Sequence, residues 1–210
     1  MGIWDRLSRA LRGAARNHAA DPTGALRSTA GGRGRARGAE RPGGARAADA
    51  QGLDHRLGTG LWRQHHDRFL RAVDRFYAIA VDLHSTAGSV PGEADAPVTS
   101  ATESAEIIAQ QTLVLNGLAD RVGALTETVH ARFPLDGLVV PAEVRARVGQ
   151  LPALLSKAAA KTAEAGQAAA MARAALRSGT DPLPAARSAR SYATDAITLV
   201  DACERALHHD

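Results

Sequence analysis

The side chains best suited to chemistry in this 210-residue chain are histidines and glutamates near the ends of predicted helices. They are His65, His66, Glu127, His130, Glu143, Glu204, His208 and His209. Glu127 and His130 form a Glu-x-x-His pair, whose spacing places a carboxylate and an imidazole on one helix face. Di-metal helical bundles use this pair twice, with two further glutamates, whereas it occurs here once. We therefore expect no metal and no cofactor, and a single divalent ion held by His66, Glu127, His130 and His208 is the alternative.

Other catalytic patterns are equally sparse. The single cysteine, Cys203, falls on the inward face of a predicted helix, where it is expected to be a small apolar core residue. Carboxylates one helical turn apart, such as Glu103 and Glu106, are typical of a solvated helix face. The glycine-rich residues 31–38 lack a preceding strand and the Gly-Lys-Ser/Thr ending of a nucleotide-binding loop. We therefore expect a protein that is not an enzyme.

Four amphipathic segments predict the helices that position these residues, at about residues 59–85, 98–133, 141–176 and 184–208. Pro152 falls inside the third segment and predicts a kink, or a division after Gln150. The inward residues of the first segment are Trp62, His66, Phe69, Val73, Phe76, Ala80 and Leu83. Those of the fourth are Ala189, Tyr192, Ala196, Leu199, Cys203 and Leu207. The Leu-Val-Val run at residues 138–140 is the only strand candidate, and it has no partner strand.

The fold class that follows is all-α. Four long segments joined by short links predict an antiparallel, up-down four-helix bundle over residues 53–210. This topology would bring the histidines and glutamates to one end of the bundle. Aromatic residues make up only 3% of the chain, and alanine buries little area. A splayed bundle that completes its core by dimerisation is therefore the alternative.

Residues 1–16 predict a short amphipathic helix. Its apolar face is formed by Ile3, Trp4, Leu7 and Leu11, and its basic face by Arg6, Arg9, Arg12 and Arg16. A tryptophan beside leucines, opposite arginines, favours a membrane surface, because the indole enters the acyl boundary while guanidinium groups stay with anionic headgroups. The same face suits a groove on this chain or on a partner protein. An organelle transit peptide is a further alternative.

A basic linker follows this helix. The first 52 residues hold ten arginines against four acidic residues, whereas the remaining 158 hold sixteen basic residues against eighteen acidic ones. Glycine and repelling charges both oppose ordering, so residues 17–52 are expected to form a flexible, disordered tether. A basic arm also contacts phosphates, which makes a nucleic-acid-associated protein the main alternative. The linker has no aromatic residue to stack on bases, which weighs against RNA.

The opening residues resemble a known family. The sequence MGIWDRL at residues 1–7 is similar to the first residues of the phage-shock protein A family, whose amino-terminal amphipathic helix binds membranes. The likeness covers these seven residues, and the chain then departs from the family, which continues directly into a long charged helical hairpin. What the resemblance implies is therefore membrane binding by this one segment.

These features predict a non-enzymatic adaptor or scaffold. The helical body would bind a protein partner or itself, and the N-terminal helix would tether it peripherally to an anionic membrane. The longest charge-free apolar stretch, residues 107–119, is too short to span a bilayer, and no apolar signal core follows the start of the chain. A single cysteine suits a reducing compartment. We therefore expect a cytoplasmic protein, peripheral at the inner face of the membrane.

Overall fold

The computed structural model describes residues 52–87 and 96–208, and within these ranges there are helices and irregular segments but no β-strand. In chain order the helices are α1 Leu61–Ala87, α2 Ala96–Arg132, the short α3 Ala142–Val148, α4 Leu151–Arg177 and α5 Leu183–His208. Residues 52–57 form a further helical segment, which the sequence pattern did not predict. The all-α prediction is confirmed. The predicted limits of α1, α2 and α5 differ from the observed ones by at most two residues.

The third predicted segment is divided, as Pro152 indicates. α3 ends at Val148, Gly149 adopts a φ of 51°, and α4 begins at Leu151. Pro152 therefore occupies the first turn of α4, where its missing N–H removes no helical hydrogen bond. Residues 138–140, the strand candidate, lie instead in the irregular connection between α2 and α3.

The core lies among the four long helices. α1 packs against α2 and α4, and α5 packs against the same two helices, whereas α2 and α4 barely touch. The largest buried side chains, including Trp62, Phe69, Phe76 and Ile108, come mainly from α1 and α2. α4 and α5 bury mostly alanines, and this pair has the most extensive contact of all. Small side chains bury little area but allow helices to approach closely.

One set of contacts joins the start of α1 to the ends of α2 and α5. The indole Nε1 of Trp62 donates a 2.9 Å hydrogen bond to the carbonyl oxygen of Phe133, which follows α2 directly. Arg132, the last residue of α2, donates a 3.2 Å hydrogen bond to the carbonyl oxygen of Leu207. We call this region, formed by residues 52–62, 130–137 and Leu207, the Trp62 end.

Other contacts join the late turns of α1 and α4. Arg173 of α4 pairs with Asp82 of α1 at 2.6 Å, and Arg177 lies 3.5 Å from the same carboxylate. Short links predict that consecutive long helices pack as antiparallel neighbours, but there is little contact across the link from α2 to α4. The intervening α3 and its flanking irregular residues give the link enough length to pass across the end of the molecule.

Candidate functional site

The predicted membrane-binding face lies outside the described residues. Its members, Ile3, Trp4, Leu7, Leu11, Arg6, Arg9, Arg12 and Arg16, all precede residue 52, as does nearly all of the predicted linker. Among the helices of residues 52–87 and 96–208, none combines the length and the apolar character needed to cross a bilayer. The structure therefore shows where the arm joins the helical body and which surfaces that body presents.

The arm joins the body through a fastened segment, residues 52–60. Leu57 is fully buried. Arg56 pairs with Glu127 of α2, and Asp54 accepts a 2.7 Å hydrogen bond from Arg63 of α1. Because this segment is tied to both helices, the first described residues join the body at the Trp62 end.

Two glycines allow this segment to pack closely. Gly58 has a φ of 64°, and a Cβ there would lie 3.2 Å from Nδ1 of His130. A Cβ on Gly60 would lie 2.7 Å from the carbonyl oxygen of Gly137 and would overlap the carbonyl oxygen of Leu135. The backbone of Gly60 packs directly against the backbone of residues 135–137, so any side chain at residue 60 would displace that turn.

Three of the side chains predicted to gather at one end, His66, Glu127 and Glu204, are engaged by separate partners. Nδ1 of His66 lies 3.0 Å from Oδ1 of Asp67, and both oxygens of that carboxylate accept 2.9 Å hydrogen bonds from Nε of Arg63. Burial by itself raises the pKa of Asp67, but the hydrogen bonds from His66 and Arg63 outweigh burial and hold this pKa below its usual value. Glu127 is occupied by Arg56.

Two histidines have buried nitrogens without a hydrogen-bond partner among the described residues. They are Nε2 of His65, a residue only 8% exposed, and Nδ1 of His130, which packs beside Gly58. Burial, with a smaller contribution from the charge of Arg68, lowers the pKa of His65. The neutral imidazole is therefore the favoured form in the folded protein, because protonation would place an unpaired charge in the core.

The described ranges contain no group of three His, Cys, Asp or Glu side chains placed to hold a metal ion. Glu204, expected at the same end as the histidines, instead accepts hydrogen bonds of 2.9 and 2.7 Å from Arg121. Glu143 and His208 are exposed, and His209 lies outside the described residues. The geometry thus offers no centre for the divalent-ion alternative.

Cys203 lies on the buried face of α5 and is fully shielded from solvent. Burial, with a contribution from the charge of Glu204, raises the pKa of its thiol to about 12. A protonated, inaccessible thiol is a poor nucleophile and a poor metal ligand. The prediction that Cys203 is a core residue is confirmed.

An apolar groove lies beside the Trp62 end, and the sequence pattern did not predict it. Its volume is about 350 Å³, and it is lined by Leu138, Val139, Val140, Arg145, Val148, Gly149, Pro152 and Ala153. Leu138 and Val139 are 59% and 80% exposed. The signal in the sequence is the run of three aliphatic residues, which pattern alone assigns to a strand. Within an irregular connection this run has no sheet to join: Val140 packs against the core, whereas Leu138 and Val139 line an accessible surface.

Comparisons with known proteins identify no relative of this chain. No family model matches this chain, and the comparisons with curated proteins and with solved structures likewise find no match.

Proposed function

We propose that this protein is a non-enzymatic adaptor, in which the helical body binds a protein partner or a second copy of itself. In this proposal the N-terminal helix tethers the body peripherally to an anionic membrane at the cytoplasmic face. The observation that carries the proposal is the exposed apolar groove beside the Trp62 end. Neighbouring aliphatic side chains that remain accessible on a folded body are typical of an interaction site.

The body is proposed to be a four-helix bundle whose helices alternate in direction along the chain. The pairwise packing supports the order α1, α2, α5, α4 around a common core. The hydrogen bond from Trp62 to Phe133 supports opposite directions for α1 and α2, and the Asp82–Arg173 pair supports the same direction for α1 and α4. A bundle in this order has two parallel and two antiparallel neighbouring pairs, unlike the simple ring of antiparallel neighbours.

A binding role is favoured over catalysis by the way the polar groups are engaged. Glu127 pairs with Arg56 of the segment that precedes α1, and Glu204 is held by Arg121 of α2. Charged groups that are occupied in this way stabilise the contacts between helices and present no free acid or base to a substrate. The buried thiol of Cys203 has a raised pKa and is equally withdrawn from chemistry.

The tether would act through the residues that the sequence assigns to it. Trp4 and Leu7 supply apolar area for the lipid boundary, and each arginine near an anionic surface contributes about 1 kcal/mol. A single short helix of this kind binds weakly and reversibly. Self-association of the bodies would strengthen attachment, since several tethers then act together.

Co-sedimentation of the full chain with vesicles of mixed zwitterionic and anionic phospholipid tests this proposal. We expect Trp4→Glu to reduce binding at least about tenfold, because it places a charge on the apolar face. Met171→Glu changes the charge equally at a side chain 66% exposed on α4, and it should bind as the unaltered chain does. Circular dichroism should show the same helix content for all three proteins. Equal binding by the Trp4→Glu protein would refute the tether.

A short DNA duplex added to the same assay distinguishes the nucleic-acid alternative. A phosphate-binding arm would be competed from vesicles by DNA and would depend steeply on salt, whatever residue occupies position 4. If the arm instead binds through its apolar face, Trp4→Glu should abolish lipid binding. The unaltered chain should then bind DNA only weakly.

A further inference from the structure

The groove beside the Trp62 end has two apolar walls. One is formed by Leu138 and Val139 of the irregular connection, and the other by Val148, Pro152 and Ala153 at the junction of α3 and α4. Val148 is buried and belongs to the core, which fixes the second wall in place. An apolar side chain seated in the groove would exclude water from both walls, and that exclusion is favourable.

The arm leaves the body next to this groove. The backbone N–H of Leu61 donates a 3.0 Å hydrogen bond to the carbonyl oxygen of Gly137, and Leu138 follows Gly137 in the chain. Residues 52–57 are held at the same end by the pair between Arg56 and Glu127. The arm therefore begins at the Trp62 end of the body, next to the groove.

We propose that the groove is the docking site of this chain's own N-terminal helix, which inserts Trp4 and Leu7 there when no membrane is present. The inference rests on the proposed function, because the same apolar face would bind lipid. That face cannot occupy the groove and a bilayer together. Docking therefore competes with membrane attachment. An anionic membrane that binds the apolar face of the helix draws the helix out of the groove.

The length of the arm permits docking. Thirty-five residues, 17–51, separate the helix from the first described residue. A glycine-rich chain of that length has a root-mean-square span of about 33 Å, roughly three helix diameters. Tethering at this length gives an effective concentration of about 1 mM. A groove that binds the free helix with a Kd of about 0.1 mM would then be occupied in about nine molecules of ten.

Charges of both signs surround the groove, since α3 carries Arg145 and Arg147 as well as Glu143. Asp136 precedes the groove, and Glu143 lies in the first turn of α3; both side chains are exposed. Within the described residues neither carboxylate has an ion pair. They are available to the arginines of the arm. Arg145, which lines the groove and donates a 3.2 Å hydrogen bond to the carbonyl oxygen of Val140, can pair with Asp5.

Iodide quenching of tryptophan fluorescence tests docking in the full chain without vesicles. The protein has two tryptophans, and Trp62 is fully buried, so iodide reaches only Trp4. We expect Trp4 to be shielded in the unaltered chain. Val139→Glu should raise the quenchable emission at least about threefold, because a charge in the groove opposes insertion of the indole. Val139 is 80% exposed, so this substitution leaves the fold intact.

Met171→Glu is the matched control. Met171 is also an exposed apolar residue, and it lies 18 positions beyond Ala153 on α4, or about 27 Å along the helix. Its variant should keep Trp4 shielded. Equal and full quenching of Trp4 in the unaltered and Val139→Glu chains would overturn the proposal. Loss of shielding on about a hundredfold dilution would also overturn it, because the occupant would then be the arm of a second copy.

Anionic vesicles added to the same samples separate this inference from the tether. If Trp4 is accessible in buffer but the chain binds vesicles, docking is refuted and the tether stands. If Trp4 is shielded in buffer and the chain does not bind vesicles, docking stands and the tether is refuted. If both hold, Val139→Glu should increase vesicle affinity by up to about tenfold, since it removes the competing site.

Discussion

The indole Nε1 of Trp62 donates a 2.9 Å hydrogen bond to the carbonyl oxygen of Phe133. Trp62 lies in the first turn of α1, and Phe133 follows the last residue of α2. The last carbonyl groups of a helix have no partner within the helix, so this bond satisfies an acceptor that would otherwise need water. The fully buried indole thereby fastens the start of one helix to the end of another.

Trp62→Phe should lower the free energy of unfolding by about 1–3 kcal/mol, because it removes this hydrogen bond and leaves space in the core. Urea denaturation followed by circular dichroism measures the change. Trp4→Phe is the matched control, and we expect it to leave the midpoint unchanged because residue 4 precedes the body. Equal stability of the two variants would show that the bond contributes nothing.

Gly60→Ala should destabilise the protein by about 1–3 kcal/mol, because the new Cβ meets backbone carbonyl oxygens that cannot rotate away. Gly117→Ala offers the opposite case, since a Cβ at that exposed position of α2 meets nothing within 4 Å. Alanine is the better helix former, so Gly117→Ala should stabilise by about 0.5–1 kcal/mol. Thermal melts of both variants test the sign of each change, and a stabilising Gly60→Ala would contradict the close approach at the 135–137 turn.

Arg121→Ala should lower the free energy of unfolding by about 0.5–1 kcal/mol, and the decrease should be smaller at high salt. Arg121 joins α2 to α5 through hydrogen bonds to Glu204 and Asp201, which raise the pKa of the guanidinium group further above its usual value. The control is Arg187→Ala, whose single contact with Glu103 is 3.5 Å long and exposed, and it should change stability by about zero. Urea midpoints at low and high salt provide the measurement, and identical costs at both positions would refute the distinction.

Stability should fall on acidification because of His65. Burial, together with the charge of Arg68, lowers the pKa of His65 in the folded protein below its value of 6.5 in the unfolded chain. Between these two pKa values the unfolded chain binds more protons. The neutral, buried His65 therefore makes its full contribution to the free energy of unfolding above about pH 6.5. This contribution is lost as the pH falls through that value towards the folded-state pKa.

His65→Leu should reduce the loss of stability between about pH 7.5 and pH 5, since it removes the titrating group and the unpartnered Nε2. Burial also lowers the pKa of His84, so part of the slope should remain. The exposed, non-titrating Gln64 supplies the control, and Gln64→Leu should keep the pH dependence of the unaltered chain. Urea midpoints across this pH range test the assignment, which fails if the His65→Leu slope equals that of the unaltered protein.

The sequence predicts the parts of the fold in which large apolar residues recur regularly. The whole expected stripe of α1, from Trp62 to Leu83, is buried, and Pro152 marks the division between α3 and α4. Hydrophobic spacing and a missing N–H are local properties, so they can be read without knowing the partner helix.

The buried face of α5 was harder to predict. Tyr192 and Leu199 were expected inward, but they are only half-buried. The fully buried stripe is Ala186, Ala189, Ala193, Ala196, Val200 and Cys203. Large side chains at the centre would hold α4 and α5 apart, whereas small ones allow close contact, and larger residues then flank the seam. Whether large or small residues of α5 face α4 depends on the alanines of α4. The sequence of α5 alone carries no information about those alanines.

The candidate site was the least predictable feature. The groove depends on the irregular path of Leu138 and Val139 and on their placement against Pro152, which is a tertiary relationship. The fastened segment, residues 52–60, depends likewise on Glu127 and on the space beside His130. Sequence spacing indicated that histidines and glutamates share one end, but it could not show that Glu127 pairs with Arg56 and Glu204 with Arg121.

The most direct test of the account is the rank order of vesicle affinities for three full-length proteins, measured with one anionic lipid mixture at one salt concentration. We predict that Val139→Glu binds most tightly, the unaltered chain less tightly and Trp4→Glu at least about tenfold more weakly than the unaltered chain. Identical affinities for all three would contradict the account, because neither the apolar face of the arm nor the groove would then influence attachment to the membrane.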